Sequence, residues 1–209
     1  MPIFPPSGTC ESRSAITPSR VGASTPVPAG WLQFCETYVS VCGTRPSTPR
    51  DLVLSREALG ELTRVNTWVN HNIQPMTDTD HYGMIQWWRY PDDGIGACHS
   101  YALLKRRLLI EAGLPREALL MTIVWLDHGR GEGHAVITVK TDRGEFILDN
   151  LTDDILLWSN TPYFFYKRQS QSDPNAWVLL KDTGGTSPGR QWASDRGVAM
   201  TATQSRQAP

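Results

Sequence analysis

Gly96-Ala97-Cys98-His99-Ser100-Tyr101-Ala102-Leu103-Leu104-Lys105 puts a cysteine at the mouth of a strongly helical run. A thiol in that place faces unpaired backbone N–H groups and the positive end of the helix dipole, and both favour thiolate. Gly94 and Gly96 permit the tight approach that presents a side chain at a helix mouth. Tyr101, Leu104, Leu108 and Ala112 share one face of the expected helix. Lys105, Arg106, Arg107 and Glu111 are expected to cover much of the rest, with Gly113 and Pro115 as the stop.

Upstream, Ser55 is placed to cap a helix on which Leu59, Leu62, Val65, Val69 and Ile73 keep helical spacing until Pro75. The stretch from Thr77 to Gly96 carries Tyr82, Trp87, Trp88, Tyr90 and Pro91 and reads as a loop packed by aromatics. Its Asp92 and Asp93 read as turn residues. Downstream the period becomes two. Met121 to Leu126, His134 to Thr141, Phe146 to Leu148, Tyr163 to Lys167 and Trp177 to Leu180 are the expected strands. Helices first and an antiparallel sheet afterwards give an α+β domain, with the cysteine helix packed on the sheet.

The chain of 209 residues is long enough for one domain with an ordinary core. Residues 1–29 are rich in Pro, Ser, Thr and Gly and read as a flexible arm. Residues 182–209, with Gly184-Gly185 and Ser187-Pro188-Gly189, read as a flexible tail in which Trp192 can dock weakly, leaving 30–181 as the domain. A net charge of −1 gives no basic field for nucleic acid or an anionic membrane. No apolar run approaches the ~18 residues of a membrane span. The first residues lack the basic and apolar regions of a secretory signal, which suggests the cytoplasm unless the true start lies upstream.

The four cysteines are Cys10, Cys35, Cys42 and Cys98. Cys35 and Cys42 can form a local disulfide in an oxidising compartment or stay as two thiols in a reducing one, and spacing alone leaves both open. No C-x-x-C pair exists, so a zinc site has little support.

Two further residues complete a constellation around Cys98. His134 follows the loop Gly129-Arg130-Gly131-Glu132-Gly133, and Asp149 ends the apolar run Phe146-Ile147-Leu148. A thiolate with a histidine base and a carboxylate to orient it is an activated nucleophile. Hairpin parity bears on this. With Asp142-Arg143 as a two-residue loop, Asp149 lies opposite Val136, diagonal to His134 on the same face. Asp142-Arg143-Gly144, however, looks more like a three-residue loop, which gives the wrong parity and demands a compensating bulge. His99 projects about 100° from Cys98 on a helix and is expected to tune or merely flank the site. His71, His81 and His128 read as solvated, and Gln86, Trp87 and Trp88 as candidates for an oxyanion hole or substrate wall, with core packing the better reading for the two tryptophans.

Taken in order, Tyr82-Gly83, Trp88, Pro91, Gly94-x-Gly96-x-Cys98-x-x-Tyr101-Ala102-Leu103-Leu104-Lys105, Gly133-His134-Ala135-Val136 and Leu148-Asp149-Asn150-Leu151 resemble the bacterial transglutaminase-like cysteine peptidases. Phe34-Cys35 with Cys42, Val69-Asn70 and Tyr166-Lys167-Arg168-Gln169-Ser170 add to the likeness, which covers roughly residues 31–180. The resemblance implies a papain-like, transglutaminase-type core with Cys98 as nucleophile, His134 as general base and Asp149 as its orienter. It also implies a periplasmic or secreted protein, and so favours the Cys35–Cys42 bond. Where that family usually reads Gly-Asp-Cys-Glu-Asp-Tyr, with acids that can bind calcium, this chain has Ala97, His99 and Ser100. No cofactor and no metal are therefore expected.

The function these readings imply is a cysteine-dependent hydrolase that cleaves a peptide or amide bond of a protein or peptide substrate through an acyl-thioester. Transfer to an amine or deamidation of glutamine uses the same intermediate. A peptide-binding module that has lost catalysis is the alternative from another class. Oligomeric state is left open by the sequence.

Overall fold

In a computed structural model that describes residues 19–43, 45–126 and 133–181, the chain runs as follows. Strand β1 (Arg20–Thr25) leads into helices α1 (Ala29–Thr37), α2 (Val39–Cys42) and α3 (Arg56–Asn72). Then come β2 (Gln74–Pro75), α4 (Asp78–Tyr82), β3 (Ile95–Gly96) and α5 (Cys98–Glu111). The second half is β4 (Leu119–Trp125), β5 (Gly133–Thr141), β6 (Gly144–Leu148), β7 (Leu156–Leu157), β8 (Phe164–Gln169) and β9 (Trp177–Lys181). The large sheet has the order β1-β9-β8-β4-β5-β6-β7, each neighbour antiparallel, while β2 and β3 form a small parallel pair. The α+β class is as expected, with α5 against β4 and β5.

The local signals act where expected. Ser55 accepts a hydrogen bond from the Ala58 N–H at 3.1 Å and starts α3, whose Leu62, Val65 and Val69 are fully buried. Gly113, at a φ of +90°, closes α5, and the Leu114 N–H turns back to the Leu109 carbonyl at 3.0 Å. The strands carry two layers of apolar side chains. Leu119, Met121, Ile137, Val139, Leu148 and Trp177 join the helical core with Trp31, Phe34, Leu62 and Leu103. Their strand neighbours Val124, Val136, Ile147, Phe165 and Leu180 form a second cluster, against which Trp158 and Tyr163 pack. A disulfide joins Cys35 of α1 to Cys42 of α2, with Cα atoms 5.4 Å apart.

Four expectations need correcting. The reading of 1–29 as a flexible arm fails at its end: Arg20–Thr25 is an edge strand, and Arg20 is the register partner of Lys181. It is pinned by a buried cluster in which Glu145 accepts hydrogen bonds from the Ser19 N–H and hydroxyl and from Arg168. The stretch from Thr77 to Gly96 holds α4 and β3 besides its aromatics, because Thr77 caps α4 by accepting from the Asp80 N–H at 3.1 Å. Lys105 and Arg106 are not on a solvated face but buried, since each finds a backbone carbonyl, Asp149 at 2.8 Å and Leu119 at 2.9 Å. Last, the β5–β6 turn is the two-residue loop. Thr141 pairs with Gly144 and Ile137 with Leu148 with no shift of register, so no bulge is required. The sequence readings for residues 1–18, the segment 127–132 with His128, and the tail 182–209 with Trp192 lie outside the described residues, as does Cys10.

Candidate active site

Gly96 and Ala97 deliver the chain to α5 through a tight passage. A Cβ on Gly96 would stand 2.6 Å from the Ser100 Cβ, so only glycine fits there. Ala97, at the N-cap, makes no side-chain hydrogen bond and leaves the first turn of α5 to act on Cys98, its first residue. Cys98 is a free, half-buried thiol.

His134 opens β5 one residue in, and Asp149 follows the last residue of β6. The β5–β6 register extrapolates to Asp149 opposite Val136, and the two side chains meet: His134 Nε2 lies 2.7 Å from Asp149 Oδ1. The Leu151 N–H donates to that same oxygen at 3.1 Å, and the Tyr163 hydroxyl donates to Oδ2. The backbone carbonyl of Asp149 is held from the helices, by Lys105 of α5 at 2.8 Å and Asn70 of α3 at 3.0 Å. Both partners are almost fully buried, His134 at 5% and Asp149 at 2% exposed. The Cys98 sulfur lies within reach of His134, which acts on it by hydrogen bonding and charge. The structure thus brings together the three residues singled out from the sequence.

Electrostatics follow from this packing. Burial alone would push the Cys98 thiol up, but the hydrogen bonds and charges of His134 and His99 outweigh it and bring the thiol down to about 6. Burial opposes charge on His134 too, yet Asp149 and then Cys98 raise it to about 10. The Asp149 carboxyl is held low despite burial, chiefly by His134 and then by Tyr163 and the Leu151 N–H. Around neutral pH the pair is therefore thiolate and imidazolium, the charge state that thiol chemistry requires.

Sequence reading underrated His99. Its ring is 5% exposed, is electrostatically coupled to the Cys98 sulfur and lies with Nε2 3.3 Å from Asp78 Oδ1 on α4, an ionic contact rather than an aligned hydrogen bond. Trp88 stacks on it, centroids 5.3 Å apart and planes within 4°. Trp88 cannot shift back, because it lies so close to Gly30 of α1 that an added Cβ would stand 2.3 Å from the indole. Trp88 is thus both core, as expected, and a wall of the site. The cue to His99 was its place beside Cys98; its partner Asp78 was hidden in a stretch read as a loop. Elsewhere, His71 lies 2.7 Å from Asp153 and His81 3.1 Å from Asp93. Gln86 takes a φ of +55° on the way to Trp87, whose N–H donates to Asp78 Oδ2 at 2.7 Å.

A half-buried cysteine, a histidine and an aspartate in hydrogen-bonded sequence are the parts of a thiol hydrolase, but they recur on unrelated folds. The whole sequence is more discriminating: the family model described as bacterial transglutaminase-like cysteine proteinase BTLCP matches residues 21–184. The chain belongs to this family. No curated protein matches it. Among solved structures, EGTA-treated LapG of Legionella pneumophila is similar at 23% identity and a TM-score of 0.49, over 60% of this chain and 72% of that one. The calcium-bound form gives 20% identity and 0.49, over 66% and 79%. The match opens on Val21, the second residue of β1, which agrees with that strand belonging to the folded unit. For this cysteine proteinase family member, no helix among the described residues is long and apolar enough to cross a membrane.

Proposed function

We propose that this family member hydrolyses peptide bonds of a protein or peptide substrate through a Cys98 acyl-thioester. The observation that carries the reading is the unbroken run of contacts from Tyr163 and the Leu151 N–H through Asp149 and His134 to the Cys98 sulfur. Cys98 thiolate attacks the scissile carbonyl, the C–N bond breaks, and the imidazolium of His134 gives its proton to the leaving amine. Neutral His134 then takes a proton from water, whose oxygen attacks the thioester and expels the thiolate. Asp149 keeps the ring oriented and supports its charge throughout. Exposed apolar side chains near these elements, Ile85 before Trp88 and Leu151 after Asp149, suit a polypeptide substrate.

Calcium has no part in this proposal. At the positions where the family's acids stand, Ala97 offers a methyl, Ser100 is buried, and the His99 ring is engaged by Cys98 and Asp78. A cation that seeks 6–8 oxygens finds a poor donor set there. Among the described residues no group of three or more His, Cys, Asp or Glu could hold a metal ion. Chelator should leave Cys98-dependent turnover unchanged, and titration should give nothing tighter than about millimolar. Micromolar binding would count against this part. The Cys35–Cys42 bond further supports an oxidising compartment.

The test is to incubate wild type and Cys98→Ala with unfolded protein substrates and with glutaminyl peptides plus an amine, reading products by mass spectrometry. New N-termini that need Cys98 are the expected result. Amine adducts or deamidated glutamine without cleavage would assign acyl transfer instead, and tight binding with no product would assign a binding module.

A further inference from the structure

The site holds one more charged couple than this chemistry requires. Besides His134–Asp149, the pair His99–Asp78 converges on the same sulfur, and the two histidines are held by different parts of the fold: His134–Asp149 by the β5–β6 hairpin, His99–Asp78 by α5 and α4. The charged and titratable groups that face the His99 ring are Asp78 from α4 and Cys98 on α5, while Trp88 from the connecting loop covers its face. An indole face favours a cation, as does a carboxylate at 3.3 Å.

We propose that His99, fixed between Asp78 and Trp88, is a second cation for the Cys98 sulfur, one that keeps its proton through the cycle. The inference rests on Cys98 being the nucleophile and deepens that reading. In a site with one histidine, the same imidazolium must both stabilise the thiolate and give up its proton to the leaving amine. Once it has done so, nothing positive remains beside the sulfur of the acyl-enzyme until attacking water returns a proton to that ring. Here His134 moves the proton and His99 does not. Water adds to the thioester carbonyl and yields a proton to His134, the C–S bond breaks, and its electron pair returns to a sulfur still paired with His99. Burial opposes the charge, but Asp78 and Cys98 raise the His99 imidazolium to about 9, so the cation persists well past neutrality.

The experiment uses the full chain with Cys10→Ser, so that Cys98 is the thiol that reports. Iodoacetamide alkylation is followed against pH for this protein and for His99→Gln, Asp78→Asn, His134→Ala and His99→Gln/His134→Ala. His99→Gln should raise the thiolate midpoint by about one pH unit, which is about tenfold less thiolate below the midpoint. Asp78→Asn should move it the same way by less. His134→Ala should keep a midpoint below the ~8.5 of a free cysteine, and the double variant should reach it. With an activated ester, acyl-enzyme breakdown should slow about tenfold in His99→Gln, equivalent to about 1.4 kcal/mol. Coincident midpoints for His99→Gln and the parent, or for His134→Ala and the double variant, would overturn the proposal. Were His99→Gln to lose its thermal transition, Asp78→Asn would decide. A parent that titrates as described but never acylates would sink the peptidase reading and the breakdown role together, leaving only the ion pairing upheld.

Discussion

Lys105, two turns into the helix that Cys98 begins, donates to the backbone carbonyl of Asp149 at 2.8 Å and so ties the thiol's helix to the carboxylate's strand end. It does so as a buried amine that desolvation pushes down to about 7, with Asp149 and Asp153 offsetting part of the effect. Because its folded value lies below the unfolded one, its contribution to stability becomes more favourable as pH rises from about 7 to about 10.5. The difference in denaturant stability between wild type and Lys105→Met should therefore widen in favour of wild type across that window. In the same variant kcat should fall about tenfold with KM nearly unchanged, as loss of about 1.4 kcal/mol of positioning would give. A pH-independent difference would show that the folded amine keeps its ordinary value and overturn its depression.

Tyr163 is expected to matter through Asp149 alone. Its phenol is pushed up, first by burial and then by the carboxylate it serves, so it stays a donor at every working pH. Tyr163→Phe deletes one hydrogen bond to a charged acceptor, a change of about 1.5–3 kcal/mol. Hydrolysis should drop by one to two orders of magnitude on that basis, with Cys98 still alkylated, whereas Asp149→Asn should also weaken His134 as a cation and lift the thiol midpoint. Equal alkylation profiles for Asp149→Asn and wild type would argue against the coupling.

The pH dependence has two limbs. Thiolate fills as pH rises through about 6, and imidazolium empties as it rises through about 10 at His134 and about 9 at His99. A plot of kcat/KM against pH should rise near the first value and fall toward the later ones, because attack needs the thiolate and amine departure needs the proton. Alkylation needs only the thiolate and should rise near the first value without the alkaline fall. For stability the raised histidines act in the opposite sense to Lys105. Their contribution is complete below about 6.5 and fades as pH passes their folded values.

Reducing the Cys35–Cys42 bond should lower stability by about 2–3 kcal/mol, the cost of freeing so short a loop in the unfolded chain. The aromatic group it supports, with Phe34 4.6 Å from Tyr38 and Tyr38 4.8 Å from Tyr90, should loosen first. Near-ultraviolet dichroism and a denaturation curve with and without reductant would read both.

How far residues alone carry the argument depends on the range of the forces involved. Ser55, the apolar spacing of α3 and the period-two strands act within a few residues and were readable. The cysteine at the helix mouth, His134 and Asp149 were readable for the same reason, as chemistry at element ends. The hairpin parity was not, because its turn is held from outside: the Asp142 N–H donates to the Leu52 carbonyl at 3.1 Å, and the Leu54 N–H to Asp142 Oδ1 at 2.9 Å. Gly144, read as the third loop residue, begins β6 instead. Lys105 was misread likewise, and His99, expected to tune or flank the site, was read without its carboxylate. Their partners lie far along the chain, Asp149 for Lys105 and Asp78 for His99, and a charged residue on a helix looks solvated until its acceptor is seen.

The pairing of Arg20 with Lys181 has a consequence for whatever adjoins this sheet. Phe165 and His134 are both register partners of Val124, at the same end of the sheet, four strands across from β1. The described residues thus open and close side by side on one edge of the sheet, so loosening Arg20 would also free the backbone of the strand that ends at Lys181.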